Sequence, residues 1–122
     1  STLEAGEGGL RLSRFGTTVR WLQSDGALAI AAPMWTKGAI PLLSKFREAG
    51  SVYIWYEDNL PSGSVKDIEK SCSNVIHGSF SHGRFGLSMA SPSSGVLLIG
   101  SPLADSSDGN LEMAGVVGTY QL

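Results

Sequence analysis

The chain has 122 residues, enough for one domain and a single core. Apolar residues make up 42% and charged ones only 16%, which excludes a disordered chain. A net charge of −2 leaves no basic footprint for nucleic acid, and no apolar run approaches the ~18 residues of a membrane span.

The 16 glycines and 18 serines, with so few charges, suit many short strands and tight turns rather than a helical bundle. The expected class is a soluble, all-β chain. It opens on Ser1 with neither an initiator Met nor a signal peptide, which reads as a processed product or a fragment.

Residues 1–10, rich in Gly and Glu, read as a frayed start or as the outer strand of a preceding unit. A first strand is expected from Phe15, with Phe15, Thr17, Val19 and Trp21 on one face. Leu28–Ala32 is a short apolar run buried on both faces and closed by Pro33, which cannot donate to a ladder. Ser51–Trp55 is β-branched and aromatic, bounded by Gly50 and by the turn cluster Glu57-Asp58-Asn59, and gives a third strand. Val65–Lys70 fits either one helical turn or a polar edge strand, and little other helix is expected. Ser73–His77 supplies the outer strand of this unit, since edge strands are short and polar. Further strands are expected near Phe85, Val96 and Gly115.

These later strands repeat the earlier ones. Phe15-Gly16 recurs as Phe85-Gly86, Pro33 as Pro102, and Ala49-Gly50 as Ala114-Gly115. Three landmarks in one order mark an internal repeat, each copy giving about one four-stranded unit.

The pattern resembles the FG-GAP repeat family of β-propellers, found in integrin α subunits and in glycosylphosphatidylinositol-specific phospholipases D. Ser13-Arg14-Phe15-Gly16, Ala31-Ala32-Pro33 and Gly50-Ser51-Val52-Tyr53-Ile54-Trp55 are similar to the last blades of the phospholipase family, as is Lys70-Ser71-Cys72. The resemblance implies two four-stranded antiparallel blades, 11–78 and 79–122, of a larger, seven-bladed ring. It implies a secreted glycoprotein that cleaves the inositol-phosphate linkage of lipid anchors and releases phosphatidic acid. The remaining blades and a zinc-dependent N-terminal catalytic domain would then be partners of this segment. Zinc and calcium are implied for that parent enzyme, with no cofactor in this segment. The alternatives are an integrin-like propeller module that binds a protein ligand, and a bare interaction scaffold.

The residues themselves offer little chemistry. The turn Gln23-Ser24-Asp25-Gly26 carries one carboxylate and Ser91–Gly95 none, against the 6–8 oxygens that calcium takes. Asp105 and Asp108 read as a solvated turn. His77 and His82 read as solvent-facing loop histidines, too few for zinc. No Gly-x-Ser-x-Gly elbow presents a nucleophile, so no catalytic residue is expected. Trp21 and Trp55 are expected to pack, whereas Trp35, at the start of a variable loop, is the candidate ligand contact. Cys72, the one cysteine, is either a small buried hydrophobe or a candidate interchain disulfide.

Overall fold

Strands form where the β-branched and aromatic runs lie, and glycines set the turns between them. The structure, a computed structural model, describes residues 3–5, 13–36, 48–65, 67–105 and 112–122. In chain order these give β1 (Leu3–Ala5), β2 (Thr18–Leu22), β3 (Ala27–Ala32) and β4 (Ser51–Tyr56). After a 3-10 turn (Glu57–Asn59) come β5 (Gly63–Val65), α1 (Ile68–Ser71) and β6 (Asn74–His77). The chain then forms β7 (Ser88–Ala90), β8 (Val96–Ser101) and β9 (Val116–Gln121).

The fold is all-β, with an antiparallel sheet β2-β3-β4-β6 and a second antiparallel sheet β7-β8-β9. Four strands were expected in each; among the described residues the second sheet has three. β1 pairs in parallel with β5 as a separate ribbon. The 65–70 stretch splits, with a strand ending at Val65 and a helical turn from Ile68.

Phe15 and Phe85 do not open strands. Each lies with its glycine inside a tight turn, where Thr17 N–H donates to the Arg14 carbonyl and Leu87 N–H to the Arg84 carbonyl. Gly16 and Gly86 take the positive φ (93° and 101°) that the third residue of such a turn requires. Pairing begins only after the turn.

The repeat holds in three dimensions. Thr18 pairs with Ala31 as Ser88 does with Gly100, and Ala32 pairs with Ser51 as Ser101 does with Val116. Loop hydrogen bonds recur as well: Trp35 N–H to Ala32 and Gly50 N–H to Trp35 match Ala104 N–H to Ser101 and Gly115 N–H to Ala104. Even the non-glycine residues at positive φ coincide, Arg14 with Arg84 and Glu48 with Met113.

Call the face of the first sheet with Ala27, Ala29, Ala31, Val52 and Ile54 its front. The front packs against Phe85, Met89, Leu97 and Ile99, and all nine are buried in one cluster. In the repeat Leu97 and Ile99 stand where Leu28 and Ile30 stand in the first copy. The first front therefore meets the second back. On the first sheet's back, Ile30, Ala32, Tyr53 and Trp55 pack with Ile68 of α1, and Phe15 and Trp35 lie against them. Trp55 is fully buried as expected, but Trp21 is 48% exposed on the back of β2.

The two sheets meet through backbone. Phe85 N–H donates to the Ala49 carbonyl at 3.0 Å and Arg84 N–H to that of Glu48 at 3.2 Å. A Cβ on Gly50 would lie 2.6 Å from the Phe85 nitrogen and run into its carbonyl oxygen, whereas one on Gly16 would meet nothing within 4 Å. Both glycines have positive φ, so an alanine at either carries strain of roughly 1–2 kcal/mol. Gly50→Ala adds a backbone clash and should lose about 4 kcal/mol or fail to fold, with Gly16→Ala losing only the strain. Urea denaturation of the two variants measures the difference.

Candidate functional site

Gly50 turns the chain into β4 and places Ser51 at the strand's first position, fully buried. The β4–β6 register sets His77 directly opposite. The Ser51 hydroxyl and His77 Nδ1 share a hydrogen bond. α1 is a single turn whose start is capped by Asp67, which accepts from Lys70 N–H at 3.2 Å. That turn brings Glu69 Oε1 to 3.0 Å from His77 Nε2. In the tautomer that donates from Nε2 to Glu69, Nδ1 accepts and the Ser51 hydroxyl donates.

Trp35 completes the group. Its N–H closes the turn after β3 and its carbonyl accepts from Gly50 N–H at 3.1 Å. The indole is thereby stacked on the His77 ring, with centroids 4.0 Å apart and planes at 14°. The expected ligand contact is a half-buried ring packed against the back-face cluster. His77 is the last residue of the expected outer strand, solvent-facing and held on both ring nitrogens.

Hydroxyl, imidazole and carboxylate in series are the parts of a nucleophilic relay. An electrophile must reach the hydroxyl, and Ser51 is 0% exposed. The series instead ties β4, β6 and α1 together. Burial raises the neighbouring Tyr53 phenol far above its ordinary 10.0, so it too stays protonated. None of this recurs in the second copy, where Val116 stands for Ser51 and Ala104 for Trp35.

A second cluster lies on the seam between the sheets. Glu48 Oε2 is 3.1 Å from His82 Nδ1 and accepts from Arg84 Nη2 at 3.5 Å. The His82 hydrogen bond, with Arg84 behind it, holds the Glu48 carboxyl below its ordinary 4.5 against the opposing effect of burial. His82 is thus a solvent-facing turn histidine, as expected, that also takes part in the seam.

Asp25, the carboxylate of the first hairpin turn, reaches the other copy's hairpin. Its Oδ1 accepts from Gly95 N–H at 2.8 Å and from the Ser94 hydroxyl at 3.1 Å. Arg20 Nε similarly donates to the Met89 carbonyl at 3.0 Å. Among the described residues no three His, Cys, Asp or Glu side chains gather to hold a metal. Asp25 Oδ1 is committed to the hairpin, while its Oδ2 is buried with no hydrogen-bond partner among the described residues. Asp108 lies outside the described residues.

Cys72 is half-buried and donates from Sγ to the Glu69 carbonyl at 3.2 Å. Burial pushes its thiol up from 9.0, which disfavours the thiolate that disulfide exchange needs. Sequence reasoning passed over Ser51, Glu69, Glu48 and Arg84, because only the β4–β6 register, the position of α1 and the seam between the sheets bring their partners to them.

Two predictions follow from these contacts. His77→Ala takes one of two partners from the buried Ser51 hydroxyl, leaving Tyr53, and should lose about 1 kcal/mol; the pair His77→Ala and Ser51→Ala should give a non-additive cycle in urea denaturation. For Glu48 the folded carboxyl is the more acidic, so its stabilisation is complete above 4.5 and disappears as pH falls through the lowered value. Stability curves between neutral and strongly acid pH should therefore be flatter for Glu48→Gln.

No family model matches the chain, and a search of curated proteins finds none similar to it. What stands is a small all-β domain of two antiparallel sheets built from two copies of one repeat.

Proposed function

We propose that the chain is a non-catalytic pair of FG-GAP blades from a larger β-propeller, resembling the C-terminal end of glycosylphosphatidylinositol-specific phospholipases D. One observation carries this reading: the Phe-Gly turn of one copy sits on the Ala-Gly pair of the other, front to back. Four positions in that contact have a counterpart that is uncovered. Ala49 is buried and Ala114 exposed; Gly86 is buried and Gly16 exposed. Met89 is 4% exposed and its counterpart Val19 54%; Val52 is 0% and its counterpart Val117 72%. Further blades on both sides would cover them, and propellers close with about four to eight blades.

On this reading the segment is scaffold in a secreted enzyme. The remaining blades and the catalytic domain, with its metals, come from the rest of the protein. The sealed Ser51 supports a segment that does no chemistry of its own. The integrin-like alternative would engage its ligand through loop residues, of which Trp35 is half-buried with one face stacked on His77.

An antibody against residues 1–122 should capture the parent from the native secretion. Mass spectrometry should find a companion polypeptide or domain rich in His and Asp. The captured assembly should release phosphatidic acid from a glycosylphosphatidylinositol-anchored protein, and residues 1–122 alone should not. An assembly without that activity, or turnover by this chain alone, overturns the proposal.

A further inference from the structure

We propose that Tyr53 is a one-electron donor. An outer-sphere oxidant at the protein surface converts it to a neutral phenoxyl radical while its proton passes through Ser51 to His77. The inference rests on contacts within the first sheet and does not depend on the enzyme assignment.

Ser51 and Tyr53 stand two residues apart on β4, on one face of the strand, and their hydroxyls share a hydrogen bond. The Ser51 hydroxyl also pairs with His77 Nδ1, and His77 Nε2 lies 3.0 Å from Glu69 Oε1. In the tautomer that donates to Glu69, every bond runs the same way: Tyr53 to Ser51, Ser51 to His77, His77 to Glu69. The phenol end of this series is sealed, with Tyr53 1% exposed. The other end is open, with 55% of the Glu69 side chain exposed. A buried phenol thus has a ready acceptor for its proton and a carboxylate behind that acceptor.

Tyr53 does not ionise first. Burial holds its phenol far above the ordinary 10.0 against the Ser51 hydrogen bond, and Glu69, Cys72 and Asp67 add to the effect. Loss of the electron alone would leave a buried radical cation, which the same burial disfavours. Electron and proton therefore leave together. Tyr53 gives one electron to the oxidant, its hydroxyl proton goes to Ser51 Oγ, and the proton Ser51 held goes to His77 Nδ1. The products are a neutral radical in the core, the one-electron-reduced oxidant, and an imidazolium. That cation lies between the Glu69 carboxylate and the face of the Trp35 ring, stacked at 4.0 Å, both of which favour positive charge. The burial that denies Ser51 a substrate does not stop an electron. Trp35, half-buried and packed against the cluster that holds Tyr53 and Trp55, links that cluster to the surface. The second copy has Val116 and Gly118 in the places of Ser51 and Tyr53, so it lacks both hydroxyls.

The test is flash photolysis of the full chain with a ruthenium polypyridine sensitiser and a cobalt(III) ammine quencher, which leaves trivalent ruthenium as the oxidant. Transient absorption should show a phenoxyl radical that forms more slowly in deuterium oxide. Tyr53→Phe should abolish it, whereas the chain carrying Tyr56→Phe and Tyr120→Phe should keep it. Ser51→Ala leaves the phenol in place but breaks the relay, and should slow its formation about a hundredfold. A phenoxyl signal that survives Tyr53→Phe, or forms at an unchanged rate in Ser51→Ala, overturns the proposal. So does the lack of a phenoxyl radical in the unaltered chain, or its formation there at equal rates in light and heavy water, neither of which needs a variant to fold.

Discussion

The structure depends on how closely two pieces of backbone approach. Phe85 and Gly86 lie against Ala49 and Gly50, with Gly78 alongside, and the gap has no room for side-chain atoms. A Cβ on Gly78 would lie 2.7 Å from that of Phe85, and one on Gly86 would lie 2.9 Å from that of Ala31. The same economy explains the alanines at 27, 29 and 31, whose methyl groups let the second sheet settle on the first. Phe85 then fills the space that remains, edge-on to Tyr120 with ring centroids 5.5 Å apart. The Phe-Gly and Ala-Gly pairs are thus two halves of one contact, one half from each copy.

What recurs between the copies is backbone; what differs is side-chain chemistry. Turn dihedrals, strand registers and loop hydrogen bonds superpose across offsets of 70, 69 and 65 residues, the separations of Phe15 from Phe85, Pro33 from Pro102 and Ala49 from Ala114. The second copy is one residue shorter before the proline and four shorter in the loop after it, where length is least constrained. Ser51, His77, Glu69 and Trp35 form a polar group that the second copy lacks, and there valine and alanine take two of the places. Such a group holds its own sheet together without contributing to the seam. The seam carries its own set, Glu48 with His82 and Arg84, and Asp25 with Ser94 and Gly95.

Much of the backbone was legible in the sequence. The apolar run at 28–32 and the β-branched and aromatic run at 51–55 name their strands outright, since such residues suit a buried, pleated surface. Phe15 and Phe85 misled because an aromatic residue before a β-branched stretch reads as the strand's first member. The glycine after it imposes a turn instead. Trp21 misled for a different reason: alternation places it on a face but does not say whether anything covers that face. His77 was beyond reach altogether. Its two partners lie 26 and 8 residues away, and only the β4–β6 register and the position of α1 bring all three together.

Front-to-back packing has a consequence that composition alone does not reveal. Had the two copies met front to front, both fronts would be consumed, and the pair would be closed like a two-fold dimer. They meet front to back, so one front and one back are left over whatever residues line them. The exposure pattern follows: Val19 and Trp21 stand uncovered on the first back, and Val117 on the second front, at 54%, 48% and 72%. Part of the first back is closed by the chain itself, with Ile68 and Phe15 against Tyr53 and Trp55, so the uncovered part is the strip along β2. β2 and β7 lie side by side at the seam, with Thr18 Oγ1 donating to the Leu87 carbonyl at 3.0 Å and Arg20 to that of Met89. A further copy stacked by the same contact would place its own first strand beside β7. Ser88 and Ala90 occupy there the places of Thr18 and Arg20, a shorter hydroxyl and no guanidinium. That next seam would have to rest on its Phe-Gly turn and on burial of Val117 more than on side-chain hydrogen bonds.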